Sequence, residues 1–213
     1  MSTQKKKIRS LASVIILMIA GGAIGYLGAQ WGMSAAKTMP GLHVATLLVA
    51  LIPVYFVVVG FHEAGHVAAG IWMDFEFRMF VIGPFLWEKE NGQMKFKWNT
   101  NVNVSGGMAI CLPRDSENLT KRFSIYAAGG PIASLILSGF TFLLYAVTGA
   151  WAEGTELGSI IRELLFMTTF LSLFIFVLTA LPFHTGGFYS DGARVLRFMR
   201  GGDVARFDLP KFL

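Results

Sequence analysis

The chain has 213 residues, of which 54% are hydrophobic and only 15% charged, against about a quarter charged in an ordinary soluble domain. Its 18 Lys+Arg and 13 Asp+Glu leave four charge-free stretches, 10–36, 38–61, 123–152 and 164–190, each longer than the roughly 18–20 residues that cross a bilayer core. This excludes a soluble enzyme, a secreted disulfide scaffold and a disordered tail. It predicts one α-helical polytopic membrane domain over 1–213 with about four transmembrane helices. Cys111 is the single cysteine, so there is no internal disulfide, and the composition argues against a thiolate metal site.

Lys and Arg fall as four in 1–9, one at 37, seven in 74–122, one at 162 and five in 191–213. With the N-terminus in the cytoplasm and four crossings, 16 of the 18 lie inside, which is the positive-inside bias. The net charge of +5 is therefore read as topology and not as a nucleic-acid surface. Both termini are placed in the cytoplasm and the protein in the cell membrane.

The first span covers about 11–33. The apolar run after Lys5-Lys6-Lys7-Ile8-Arg9 is longer than a cleaved signal core, which points to an uncleaved span. The second covers about 43–72. It follows Pro40-Gly41 and continues without a break through Phe61–Gly70, giving a helix of roughly 45 Å whose last turns lie near the cytoplasmic boundary. Pro53 within it predicts a kink.

The β-rich loop runs over about 78–110. Asn91-Gly92 is a hairpin turn signal. Beyond it Met94, Phe96 and Trp98 alternate with Lys95, Lys97 and Asn99, and Asn101–Val104 alternates again, which is strand periodicity. A small cytoplasmic or interfacial hairpin or sheet is expected, with its aromatic side toward the membrane interface. The third span is about 123–149; Gly130, Ser134 and Ser138 recur every four residues along it and predict a face for close helix packing. The fourth is about 164–182, ending at Pro182. A polar segment, His184 to Gly192, and a basic tail over 193–213 containing a short amphipathic helix complete the chain.

His62-Glu63-Ala64-Gly65-His66 carries the chemistry. Residues four apart on a helix lie about 40° apart on one face, so both imidazoles can bind one Zn²⁺. Glu63, rotated about 100° from His62, reaches a water at the metal without being a ligand and can move its proton. Histidine and glutamate inside a spanning helix are costly and therefore functional by default. A catalytic zinc needs a third protein ligand and an open position. His43 lies roughly 28 Å up the same helix and cannot reach. Asp191 follows the fourth span on the same side and is favoured, although an N-cap role ahead of 192–199 explains it about as well. His184 is the alternative ligand, or a hydrogen-bond donor to substrate.

Phe61–Gly70, Gly129-Gly130-Pro131-Ile132-Ala133-Ser134, and Leu181-Pro182 with Ser190-Asp191-Gly192 together resemble the site-2 protease group of intramembrane zinc metalloproteases, peptidase family M50. The resemblance covers about 42–200. It implies one zinc per chain held by His62, His66 and Asp191, with Glu63 as catalytic base and other membrane proteins as substrates within the bilayer. The sequence departs from the family in having Thr179, Ala180 and Leu181, with no Asn, ahead of Pro182, and in a longer gap from Pro182 to Asp191.

The expected activity is cleavage of transmembrane or membrane-proximal segments. A helical substrate hides its backbone in internal hydrogen bonds and must first unwind; the strand edge expected in 79–104 offers it pairing by β-addition. The competing reading is a non-proteolytic membrane metal carrier or scaffold, which has no need of Glu63. The oligomeric state and the substrate are not legible.

Overall fold

The computed structural model describes residues 41–101, 106–149, 155–185 and 188–200, together with five helical positions, 19, 22, 23, 26 and 30, of the expected first span. The remainder of that span, the alternation at 102–104 and the tail beyond 200 lie outside the described residues. Among the described residues, three long helices are apolar enough to cross a membrane. These are α1 (Gly41–Trp72), α2 (Leu119–Val147) and α3 (Glu156–Ala180). A fourth helix, α4 (Asp191–Met199), is short and strongly amphipathic.

Four of the strands are β1 (Phe75–Ile82), β2 (Phe85–Glu90), β3 (Gln93–Trp98) and β4 (Met108–Pro113). They form one antiparallel sheet in the order β3-β2-β1-β4. Two-residue strands β5 (His184–Thr185) and β6 (Phe188–Tyr189) pair between α3 and α4.

The boundaries differ from the charge-based expectation in an informative way. The span expected at 164–182 begins at Glu156, because Thr155 caps the helix by accepting from the Gly158 N–H at 3.0 Å. Arg162 and Glu163, taken as the edge of the span, therefore sit inside the helix. Arg162 turns back to donate to the Tyr145 carbonyl oxygen at 3.1 Å, with its guanidinium over the Tyr145 ring. The third span likewise starts at Leu119, four residues before the charge-free run.

The alternation after Asn91-Gly92 is borne out. Both turn residues have positive φ, 51° and 79°, the backbone that a two-residue hairpin turn demands. Met94, Phe96 and Trp98 lie on one face of β3 and are half or more exposed. Phe96 and Trp98 contact Phe85 and Trp87 of β2. On the other face Lys97 pairs with Glu88 and Glu90, and Lys95 with Glu90 at 2.7 Å.

The sheet does not simply extend beyond the helix end. After Asp74 turns the chain with φ 56°, β1 runs back along α1. A Cβ built on Gly60 would meet Ile82, and one on Gly83 would meet Phe56. The tip between β1 and β2 thus reaches the level of Phe56, sixteen residues or about 24 Å back from Trp72.

One apolar core, Val54 and Val58 of α1 with Leu137 of α2, joins the three long helices through Leu164, Met167, Leu171 and Ile175. A second, formed by Phe75, Cys111, Phe123 and Phe198, ties the sheet and α4 to the motif end of the bundle. Burial pushes the Cys111 thiol in this second core up to about 11, which keeps it an inert packing group.

Candidate metal centre

α1 and α2 touch through backbone where their glycines meet. A Cβ on Gly65 would collide with the Gly129 carbonyl, and one on Gly129 with the Gly65 carbonyl. This approach sets the His62–His66 face of α1 directly on the Tyr126–Gly130–Ser134 face of α2. His62 and His66 are 5% and 7% exposed, which requires partners for their ring nitrogens. His66 Nδ1 lies 2.8 Å from the Tyr126 carbonyl oxygen, and His62 Nδ1 lies 2.9 Å from Ser134 Oγ. The Gly130 N–H also points at His66 Nδ1, donating at 3.3 Å, so α2 offers this nitrogen both a carbonyl and an amide. The next residue, Pro131, has no N–H to give.

With both Nδ1 atoms turned to α2, both Nε2 atoms face a common point. Asp191 meets them there, its Oδ2 at 3.3 Å from His62 Nε2 and 3.5 Å from His66 Nε2. One ligand atom from each of the three residues lies within 4.8 Å of the others. Asp191 reaches this point because it does not cap its own helix. Ser190 is the N-cap and its Oγ accepts from the Ala193 N–H at 3.2 Å. The same hydroxyl bonds the Leu181 carbonyl oxygen at 2.7 Å and accepts from the Phe183 N–H at 3.1 Å, closing the β5–β6 excursion. The cap reading of Asp191 is thus corrected by one residue: Ser190 does that work and leaves the carboxylate free.

Burial alone would raise the Asp191 pKa, but hydrogen bonds from His62 and His66 outweigh it and hold the carboxyl well below the usual range. Two buried imidazoles and one partly buried, ionised carboxylate on a common point are the N₂O donor set that Zn²⁺ accepts. Each imidazole also has the second partner that such ligands need. The residues present therefore fit the metal.

Glu63 lies one position on from His62, and a Cβ on Gly107 would stand 3.0 Å from its Oε1. The carboxylate thus faces the start of β4. His184 is in β5, paired with Tyr189; its side chain lies outside the described residues. His43 is in the first turn of α1, at the far end from the motif.

Ser134, the Tyr126 carbonyl and Ser190 are the groups that sequence reasoning passed over. The four-residue recurrence of Gly130, Ser134 and Ser138 was the available signal. It reads as packing, and Ser138 does pack, donating to the Thr169 carbonyl oxygen at 3.1 Å, but Ser134 also turns its hydroxyl to His62.

No curated protein and no solved structure matches the chain. Residues 49–181, which include the paired histidines and the Gly65–Gly129 approach but stop short of Asp191, match Peptidase family M50. That match extends over more than half the chain, and with three apolar helices of membrane-spanning length it establishes an integral membrane protein that belongs to peptidase family M50.

Proposed function

We propose that the protein is an intramembrane zinc endopeptidase that cuts transmembrane or membrane-proximal segments of other membrane proteins. The convergence of His62 Nε2, His66 Nε2 and Asp191 Oδ2 on one point beside Glu63 carries this reading. His62, His66 and Asp191 would hold one zinc per chain. When bound, the ion supplies a Lewis acid that polarises a peptide carbonyl and makes water more acidic. Glu63 takes a proton from the attacking water and delivers it to the leaving amine. The buried walls of α1 and α2 keep other water from the reacting group. With the first span added, the motif end of α1, the sheet and α4 face the cytoplasm of the cell membrane.

The substrate must arrive as an extended strand. β1 and β2 are interior strands, so residues 79–90 offer no free edge; the edges are β3 and β4. Of these β4 adjoins Glu63 through Gly107, and the substrate strand is placed there. N-methylation of substrate amides flanking the scissile bond is expected to lower kcat/KM by at least about tenfold, the loss of one or two pairing hydrogen bonds. Undiminished cleavage of the methylated substrate would remove β-addition from the scheme.

The test of the whole reading is Glu63→Gln with candidate membrane substrates. Cleavage should fall by about a thousandfold or more, the scale of losing a general base together with proton delivery, while one zinc per chain is retained. A wild-type protein that binds zinc, cuts no membrane substrate and carries ions across liposomes would overturn it.

A further inference from the structure

The second apolar core is not filled to its edge. A cavity of about 130 Å³ lies between β4 from Met108 to Leu112, Phe123 and Ala127 of α2, and Phe198 of α4, and it is partly open to the outside. Few voids in a packed interior exceed a water molecule. Successive residues of a strand point to opposite faces, so a cavity that touches every residue from Met108 to Leu112 runs along the side of the strand. The other side of β4 is paired with β1. The cavity therefore follows the free edge of β4, where the substrate strand is placed.

Its walls also support the candidate centre. Met108 follows Gly107, beside which the Glu63 carboxylate lies. Tyr126, in the lining, offers its carbonyl oxygen to His66 Nδ1 at 2.8 Å. Arg194, the one charged group among the described lining residues, has Nη1 4.0 Å from Asp191 Oδ1. Whatever enters the cavity thus lies next to the groups on which the ligands converge. The entrant is a side chain and not a backbone. The Tyr126 hydroxyl donates to the Ala109 carbonyl oxygen at 2.7 Å, about the distance that the N–H of a paired strand would take, so the edge acceptor at Ala109 is already engaged.

We propose that this cavity is a specificity pocket that receives one apolar side chain of the substrate, of leucine or isoleucine size, from a residue close to the scissile bond. This rests on the proposed proteolytic function. The substrate backbone pairs toward the Gly107 end of β4, beside Glu63, and sends the side chain along the edge. Size and chemistry select the occupant. An apolar cavity of about 150 Å³ holds benzene, so a branched aliphatic side chain fits and the larger indole of tryptophan does not. A lysine side chain would bring its charge to an apolar wall beside the Arg194 guanidinium, which opposes it. Alanine would leave the cavity mostly empty.

The test uses the full chain with zinc in detergent and a Lys-flanked, alanine-rich transmembrane peptide with a central Gly-Pro pair that lets it unwind. A single leucine is moved along the peptide one position at a time, and the cut is located by mass spectrometry. The cut should follow the leucine at a fixed offset. Replacing that leucine by alanine should lower kcat/KM at least about tenfold, the low end for a methylene lost from an apolar pocket, and tryptophan and lysine should do no better than alanine. Ala127→Leu, which fills the cavity, should reverse the order of leucine and alanine, and Met108→Ala, which widens it, should admit tryptophan. A cut whose position and rate ignore the leucine would overturn the proposal. So would an equal loss for leucine and alanine peptides in Ala127→Leu, the mark of a cavity that holds lipid or only supports the fold. Wild-type protein that cuts no peptide would overturn the proteolytic reading, and binding then decides the pocket: photo-leucine in place of leucine should cross-link to residues 108–112 or Phe198, and Ala127→Leu should abolish that link. Cross-links confined to other residues would overturn the pocket as well.

Discussion

Gly130 shows how little room the centre has. A Cβ there would stand 2.7 Å from His62 Nε2 and overlap His66 Nε2, so one methyl group would fill the point on which the ligands converge. Alanine is also the better helix former by roughly 1 kcal/mol. Gly130→Ala should therefore keep the helical circular dichroism of wild type while losing stoichiometric zinc, measured by metal analysis after dialysis. Asp191→Ala tests the third donor. It should abolish tight zinc binding in equilibrium dialysis, because two imidazoles alone leave the set incomplete. Stoichiometric zinc retained in that variant would transfer the role to His184. At this scale the shared face of His62 and His66 was legible, because four-residue spacing on one helix is local geometry. Asp191 was only half legible. Whether it caps α4 or leaves the cap to Ser190 depends on a hydroxyl that bonds Leu181 and Phe183 across the β5–β6 excursion, and no local pattern encodes that.

Among the elements, the β2–β3 hairpin carries a charged face whose stability depends on acidity. Hydrogen bonds from Lys95 and Lys97 hold the Glu90 carboxyl down at about 2, and contacts with Glu88 and Glu90 raise the Lys97 ammonium. A carboxyl depressed in the folded state stabilises it above the unfolded pKa, and that contribution disappears as pH falls through the folded value. The hairpin's ion-pair support should thus be intact above pH 4.5 and fade toward pH 2. Hydrogen exchange of residues 93–98, corrected for intrinsic rate, should show protection lost over that window while α2 stays protected. Equal loss in both elements would mean global unfolding and not release of the ladder. The sequence disclosed this hairpin, because alternation and Asn-Gly are local signals. It did not disclose where the sheet lies. The fold-back of β1 along α1 follows from Asp74 adopting positive φ and from Gly60 and Gly83 admitting Ile82 and Phe56, contacts that join residues 22 to 27 positions apart.

For the whole molecule, charge-free length located the three described membrane helices, and charges inside two of them misplaced their starts. Arg162 and Glu163 looked like a boundary but lie within α3, where Arg162 finds the Tyr145 carbonyl and ring. Composition reports how costly a residue is in lipid; it does not report whether a neighbouring helix offers a partner that offsets the cost.

The donor set also has a consequence in time. His66 and Asp191 are 125 residues apart, and Asp191 is set in place only by α4, which follows α3. At 5–20 residues per second, a chain under synthesis holds both histidines for on the order of ten seconds before the aspartate exists. The incomplete protein, inserted among other nascent membrane proteins, has two of its three donors throughout that interval. On the proposed function, a capacity to cut would begin only once Asp191 has been made.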